Sequence, residues 1–236
     1  MNLFDYHRGR MIDKGVLYIV ATPIGNPRDI TLRALDVLQE VDAVVCEEFR
    51  EGSTLLKKLD IQKEIILVNE HNESEQAPLI AERLRQNQAM ALISDCGTPV
   101  FADPGATLIR RLVEEGIQVV PVPGPSSLMA ALSVLDSKLD RFIYAGFLPR
   151  DRAERRKALK ALRVTRYPIV LMDAPYRLAP LLEDLEDVYG GGANVTLALD
   201  LTLPGESILR GTISEVKRSA GQRKSEFVLI VHQTFN

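Results

Sequence analysis

Five short apolar runs rich in β-branched residues, 17–21 (LYIVA), 43–46 (AVVC), 64–68 (EIILV), 90–94 (MALIS) and 117–122 (IQVVPV), alternate with helix-patterned stretches in the first half of the chain. The stretch 31–39 repeats leucine at Leu32, Leu35 and Leu38, 74–86 follows a serine cap, and 106–115 stops at Gly116. Strands that alternate with helices belong to a mostly parallel sheet covered on both faces. In such a sheet the loops at the carboxyl ends of the strands carry the ligand.

The pattern shifts near Asp136–Asp140. Residues 141–147 read as a strand, Pro149 opens a strongly basic helical segment, and strands at 168–172, 195–201 and 226–232 follow, with helices at 176–189 and 213–219. The expected organisation is a loose tail over 1–14, an N-terminal α/β domain over 15–137 with a mostly parallel five-stranded sheet, and a C-terminal α/β domain over 138–236 with a mixed sheet. Met11 is a second candidate start within that tail.

Composition narrows the classes. With 46% hydrophobic and 26% charged residues among 236, the chain can bury a sizeable core, and a formal charge of −3 gives no global basic field for nucleic acid. A nucleic-acid binder of this composition needs a local patch. Two cysteines, Cys46 and Cys96, each at or next to the end of an apolar run, make a poor disulfide framework or metal cluster, so a reduced, cytosolic setting without a metal is expected. No apolar run reaches the roughly 20 residues of a membrane span, and the first fourteen residues lack the apolar centre of a signal peptide.

Three Gly/Pro-rich turns leave the strands. Thr22-Pro23-Ile24-Gly25-Asn26-Pro27 has prolines where a dinucleotide fingerprint has glycines, which makes it a stiff wall and not a pyrophosphate cradle. The second, Ser94 to Gly105 (SDCGTPVFADPG), sets Gly97 and Gly105 beside the short polar groups of Thr98 and Asp103. The third, Pro123-Gly124-Pro125-Ser126-Ser127, runs into an apolar helix over 128–135, where helix capping alone explains one of the two serines.

Jointly these turns, with RFIYAGFLPR (141–150) and KSEFVLIV (224–231), resemble the tetrapyrrole methylase superfamily of S-adenosylmethionine enzymes, and within it the ribosomal small-subunit RNA (cytidine-2′-O)-methyltransferases. The resemblance spans Leu17 to Val231. It implies two α/β domains with the cofactor in a cleft between them, a homodimer, and small-subunit ribosomal RNA as partner. Carried over by position, it puts Ile24, Gly97, Thr98, Phe101, Ser126, Ser127, Asp173 and Ala198 around S-adenosylmethionine. Carbonyls and hydroxyls suit a sulfonium cation, and Ile24 or Phe101 suits the adenine.

Methyl transfer to a ribose hydroxyl needs alignment and a base. His71, in an HNE loop after the third strand, is one candidate, although solvation alone also accounts for a loop histidine; Asp95 is the other, although a turn aspartate often bonds its own backbone. For RNA, residues 150–166 carry eight cations against two acids. Arg152, Arg156, Lys160 and Arg163 share a helix face, with Arg155 beside them, and either phosphate binding or plain solvation fits such a run.

The departures from the RNA-methylase pattern lie at charged groups. EDTR becomes Glu47-Glu48-Phe49-Arg50, YESPHR becomes Met172 to Arg177 with Tyr176 for histidine, and RELTK becomes Leu199 to Leu203 with both cations lost. Leucine cannot replace a cation that holds a phosphate. A diverged paralogue acting on a small molecule such as a tetrapyrrole, or one that binds cofactor without turnover, is therefore the alternative.

Overall fold

The computed structural model describes residues 12–101 and 103–232. The chain divides into two compact units that part between Ser126 and Ser127.

The first unit contains β1 (Val16–Val20), α1 (Leu32–Glu40), β2 (Ala43–Cys46), α2 (Phe49–Lys58), β3 (Glu64–Leu67), α3 (Glu73–Arg85), β4 (Met90–Ile93), α4 (Ala106–Glu114) and β5 (Gln118–Val122). Its sheet has the order β3-β2-β4-β1-β5, and every pairing is parallel. Alternation sorts the side chains: Val16, Tyr18, Val20, Val44, Cys46, Ala91 and Ile93 pack with Ala34, Val37 and Leu38 of α1 and Leu56 of α2. Leu17, Ala43, Val45, Met90 and Leu92 pack on the other face with Ile80 and Leu84 of α3 and Leu108 and Leu112 of α4. Burial on both faces is why these strands read as unbroken apolar runs. The onward connections of the neighbouring strands β1 and β4 run in opposite directions along the sheet, toward β2 and β5, and their carboxyl ends frame the crevice where α/β proteins hold ligands.

The second unit contains α5 (Ser127–Ser133), β6 (Ile143–Gly146), α6 (Arg152–Arg163), β7 (Ile169–Asp173), α7 (Leu178–Tyr189), β8 (Asn194–Leu199), β9 (Ser207–Thr212), α8 (Ile213–Ala220) and β10 (Phe227–Val231). Its sheet has the order β6-β7-β10-β8-β9, parallel only between β6 and β7 and thus mixed as expected. One face packs on Leu159 of α6, Leu178 to Val188 of α7, and Ile213 and Val216 of α8. The other receives Leu128 and Ala131 of α5 against Val170, Ala198, Val228 and Ile230. That contact places α5 in the second unit, one helix ahead of the division at 137/138 expected from the change of pattern. The first eleven residues of the expected tail lie outside the described residues, whereas Ile12 is 3% exposed and buried in the core of the first unit. Two elements went unread in the sequence, α2 and β9. No helix among the described residues is long and apolar enough to cross a membrane.

Candidate active site

In the first unit the three Gly/Pro turns are stitched into one structure. Thr22 and Gly97 exchange backbone hydrogen bonds, Thr22 N to Gly97 O at 2.8 Å and Gly97 N to Thr22 O at 3.2 Å. The buried Thr22 hydroxyl donates to the Ser94 carbonyl at 3.1 Å. The Thr98 hydroxyl donates to the Pro125 carbonyl at 3.2 Å, which ties in the third turn. Gly97 holds φ +82°, and a Cβ there would stand 3.2 Å from Ile24 Cγ2, so glycine satisfies both the backbone and the close approach of Ile24. Gly124 lacks a Cβ where one would meet Ala21 Cβ at 3.1 Å. Ile24, Gly97 and Thr98 therefore meet at the carboxyl ends of β1, β4 and β5. Phe101 follows them, 54% exposed, after Val100, whose φ of +70° is strained for a β-branched residue. Ser126 closes this unit, half-buried.

The edge of this crevice is acidic. The Ser94 hydroxyl donates to Asp103 Oδ2 at 2.5 Å. Burial, then the carboxylates of Asp103, Glu51 and Glu48, push the Asp95 carboxyl above its ordinary range, while a hydrogen bond from the Glu48 backbone opposes the shift. Burial, then Asp95, Asp103, Glu48 and Glu70, push Glu47 the same way. Glu48 is the N-cap of α2 and forms no side-chain cap bond there. The position at which the RNA-methylase pattern has a threonine is the exposed Phe49. Of the two base candidates, Asp95 lies in this cluster. His71 stands on the loop after β3, its side chain 84% exposed and 3.5 Å from Glu70, with its backbone N–H donated to Asn69 Oδ1 at 3.0 Å.

In the second unit Asp173 closes β7 and is 4% exposed. Its Oδ1 accepts from the Ala174 backbone at 2.8 Å and pairs with Arg177 at 2.9 Å. Its Oδ2 is buried and makes no hydrogen bond within the described residues. Burial raises the Asp173 pKa, and the Ala174 amide and the charges of Arg177, Arg155 and Arg150 oppose it. A buried acceptor with an open lone pair is costly unless a ligand N–H or O–H fills it. Ser127 begins α5 and is half-buried. Ala198 is 0% exposed and paired on both sides, to Val228 and Ile208, with its methyl in the α5 cluster.

The basic helix differs from expectation. Arg155 is 5% exposed and pairs with the fully buried Asp184 of α7 at 2.6 Å, while its Nη1 donates to the Arg150 carbonyl at 2.9 Å. Asp184 also receives Arg152 at 2.9 Å, Arg156 lies 3.2 Å from Asp187, and Arg163 donates to the Val188 carbonyl at 2.7 Å. Arg155 is thus an internal clamp between α6 and α7, and Arg152, Arg156 and Arg163 lean on α7. Lys160 is exposed. Helix spacing put these cations on one face correctly, but the face meets an acidic helix. The readable signal was Asp184 itself, a carboxylate interrupting the apolar series Leu178, Leu181, Leu182, Leu185 and Val188. Thr22, the residue that locks the turns together, was likewise not singled out. A small hydroxyl directly after a buried strand was its only mark.

The three comparisons agree. A model of the tetrapyrrole (corrin/porphyrin) methylases matches residues 16–217. The chain is 42% identical over 229 residues to ribosomal RNA small subunit methyltransferase I of Escherichia coli O157:H7, covering 95% of this chain and 80% of that one. It is 37% identical over 221 residues to the protein of the same name from Halalkalibacterium halodurans, covering 93% and 76%. Among solved structures, uroporphyrin-III-C-methyltransferase from Thermus thermophilus superposes with a TM-score of 0.65 at 25% identity, covering 93% of this chain and 95% of that one.

Proposed function

Since the chain belongs to the tetrapyrrole (corrin/porphyrin) methylase family and is a methyltransferase, we propose that it moves a methyl group from S-adenosylmethionine to a ribose 2′-hydroxyl of small-subunit ribosomal RNA. The observation that carries the cofactor half is the stitching of Thr22, Gly97, Thr98 and Pro125 into one rigid set of carbonyls and hydroxyls beside Ile24. The substrate half rests on what the relatives at 42% and 37% identity are named for.

The residues present fit S-adenosylmethionine. Small residues at Gly97, Gly124 and Ala21 let the turns approach one another closely, Ile24 and Phe101 offer apolar walls, and the Glu47, Asp95 and Asp103 edge supplies negative potential for a cation. The orphan Oδ2 of Asp173 is an acceptor for the cofactor's amine or hydroxyls. Ser126 and Ser127 add hydroxyls at the start of α5. Bound here, the cofactor supplies an activated methyl carbon. The chain's part is to fix the acceptor in line with that carbon and to take its proton. Asp95 is the base in this reading, because its raised pKa makes it a stronger proton acceptor than an ordinary carboxylate; His71 stands outside that cluster as the second candidate. A homodimer and a cytosolic setting belong to the same reading.

Calorimetric titration with S-adenosylmethionine, followed by transfer of a labelled methyl group to small ribosomal subunits and mass mapping of the product, tests it. The expected outcome is one ribose methylation absent from a deletion strain. Absence of cofactor binding overturns the reading. Binding with transfer only to a small-molecule acceptor replaces RNA by the diverged-paralogue alternative.

A further inference from the structure

The arginines of α6 are spent on α7, so a second unit that engages RNA must hold phosphate elsewhere. A cavity of about 770 Å3 lies at the end of its sheet where β6, β7 and β8 begin and β10 finishes. Its floor follows from strand register. Thr196 and Arg210 are direct cross-strand partners on β8 and β9, and by alternation they share the sheet face of Ala198 and Ile208, the face that α5 covers. His232, just past β10, sets its imidazole 2.9 Å from the Thr196 hydroxyl. Arg141 and Tyr167 stand in the segments leading into β6 and β7, with the Arg141 guanidinium 3.5 Å from the Tyr167 hydroxyl.

Two guanidiniums thus line one cavity, each with N–H groups that make no hydrogen bond among the described residues. Arg210 gives one N–H to the Val134 carbonyl at 2.5 Å, which steadies the side chain and leaves the rest of its fork for a ligand. Of the acids at the rim, Asp140 is held by Lys138 at 2.8 Å, and Asp136 faces His232. The cavity is of the size that takes a nucleotide. Two guanidiniums match a phosphate geometrically, and Tyr167, 39% exposed, supplies a ring for a base.

We infer that this cavity is a nucleotide-phosphate site, with Arg141 and Arg210 on the phosphate and Tyr167 against the base, and that it seats a nucleotide of the RNA substrate other than the methylated one. The inference rests on the RNA reading above for the source of the nucleotide, but not for the phosphate chemistry. Tyr167 stands before the first residue of β7 and Asp173 is its last, so the whole strand, roughly 13 Å at the rise of an extended chain, lies between them. The nucleotide held here is therefore not the one at the cofactor.

His232 is one of three histidines, so its imidazole resonances can be followed in the whole chain. Titration with cytidine 5′-monophosphate is expected to shift them, and cytidine is expected not to. Arg141→Gln and Arg210→Gln should each weaken that binding about tenfold, the effect of one charge-assisted hydrogen bond. In RNA binding, each should lower the slope of log affinity against log salt by about 0.7 to 0.9. S-adenosylmethionine affinity should stay unchanged. Arg141→Gln is the safer variant, since among the described residues its guanidinium bonds the exposed Tyr167 hydroxyl, and folding does not depend on that contact. No shift with the nucleotide, or a shift indifferent to both variants, overturns the site. A nucleotide shift in a protein that shows no RNA affinity keeps the phosphate site and rejects the RNA reading instead.

Discussion

Thr22 and Gly97 close a two-bond antiparallel bridge between the carboxyl ends of two parallel strands, with N–O distances of 2.8 and 3.2 Å. The bridge fixes the first two turns against each other before any ligand arrives. Gly97→Ala tests it. An alanine at φ +82° costs about 1–2 kcal/mol in backbone strain, and its Cβ would press on Ile24 Cγ2 at 3.2 Å. Urea unfolding should register that loss, and cofactor affinity should fall about tenfold as Ile24 is displaced. Gly116→Ala is the control: φ is +69° and nothing lies within 4 Å of the new Cβ, so stability should drop with cofactor affinity intact.

Asp184 predicts a different loss. It is fully buried and holds both Arg155 and Arg152, so Asp184→Ala strands the Arg155 charge inside the unit. Breaking a buried pair from one side costs about 3–5 kcal/mol, read as a lower urea midpoint. Replacing the pair by Arg155→Met with Asp184→Leu should recover most of it. In that double variant the salt slope of RNA binding should match the parent chain, because Arg155 is an internal clamp. A reduced slope would restore Arg155 to the RNA surface.

The readable and unreadable parts of this chain divide along physical lines. Strands buried on both faces leave continuous apolar runs, and so β1, β2 and β4 stood out. The edge strand β9 has only Ile208 and Leu209 as large apolar residues, is half-exposed, and leaves no such run. Helix α2 begins at Glu48 without a side-chain cap and buries only Gly52 and Leu56, so neither start signal nor apolar stripe announces it. The three turns were legible because glycine and proline state backbone requirements directly. Their hydrogen bonding was not, since Thr22 and Gly97 meet only through strand order. The cations of α6 showed the reverse problem: their spacing was plain, but the acids that neutralise them come from a later helix.

The two base candidates separate by geometry. Asp95 lies among Glu48, Glu51 and Asp103 at the end of β4, while His71 projects from its loop with its side chain 84% exposed. A positioned base contributes about 10²–10⁴-fold. Asp95→Asn should lower kcat for methyl transfer within that range, whereas His71→Ala should change it by less than about tenfold. Single-turnover transfer at saturating cofactor measures both. A larger loss in His71→Ala than in Asp95→Asn would exchange their roles.

The acidic edge also sets two pH dependences of opposite sign. Burial first, and neighbouring carboxylates next, hold Asp95 above its ordinary 3.8 and Glu47 above its ordinary 4.5 in the folded chain. Between the ordinary and the raised value the folded chain binds more protons than the unfolded one, so stability falls as pH rises through that window and returns as pH falls. Cofactor binding runs the other way, since a sulfonium is attracted by the ionised carboxylates and loses them on acidification. Asp95→Asn removes one of the interacting acids. Its unfolding midpoint, compared with the parent at each pH from about 4 to 7, should show the variant relatively more stable at the upper end, and its cofactor affinity should be lower there and less dependent on pH. Parallel pH profiles for the two proteins, in stability and in affinity alike, would mean that Asp95 is already unlinked from its neighbours and that the sulfonium is held by carbonyls and hydroxyls alone.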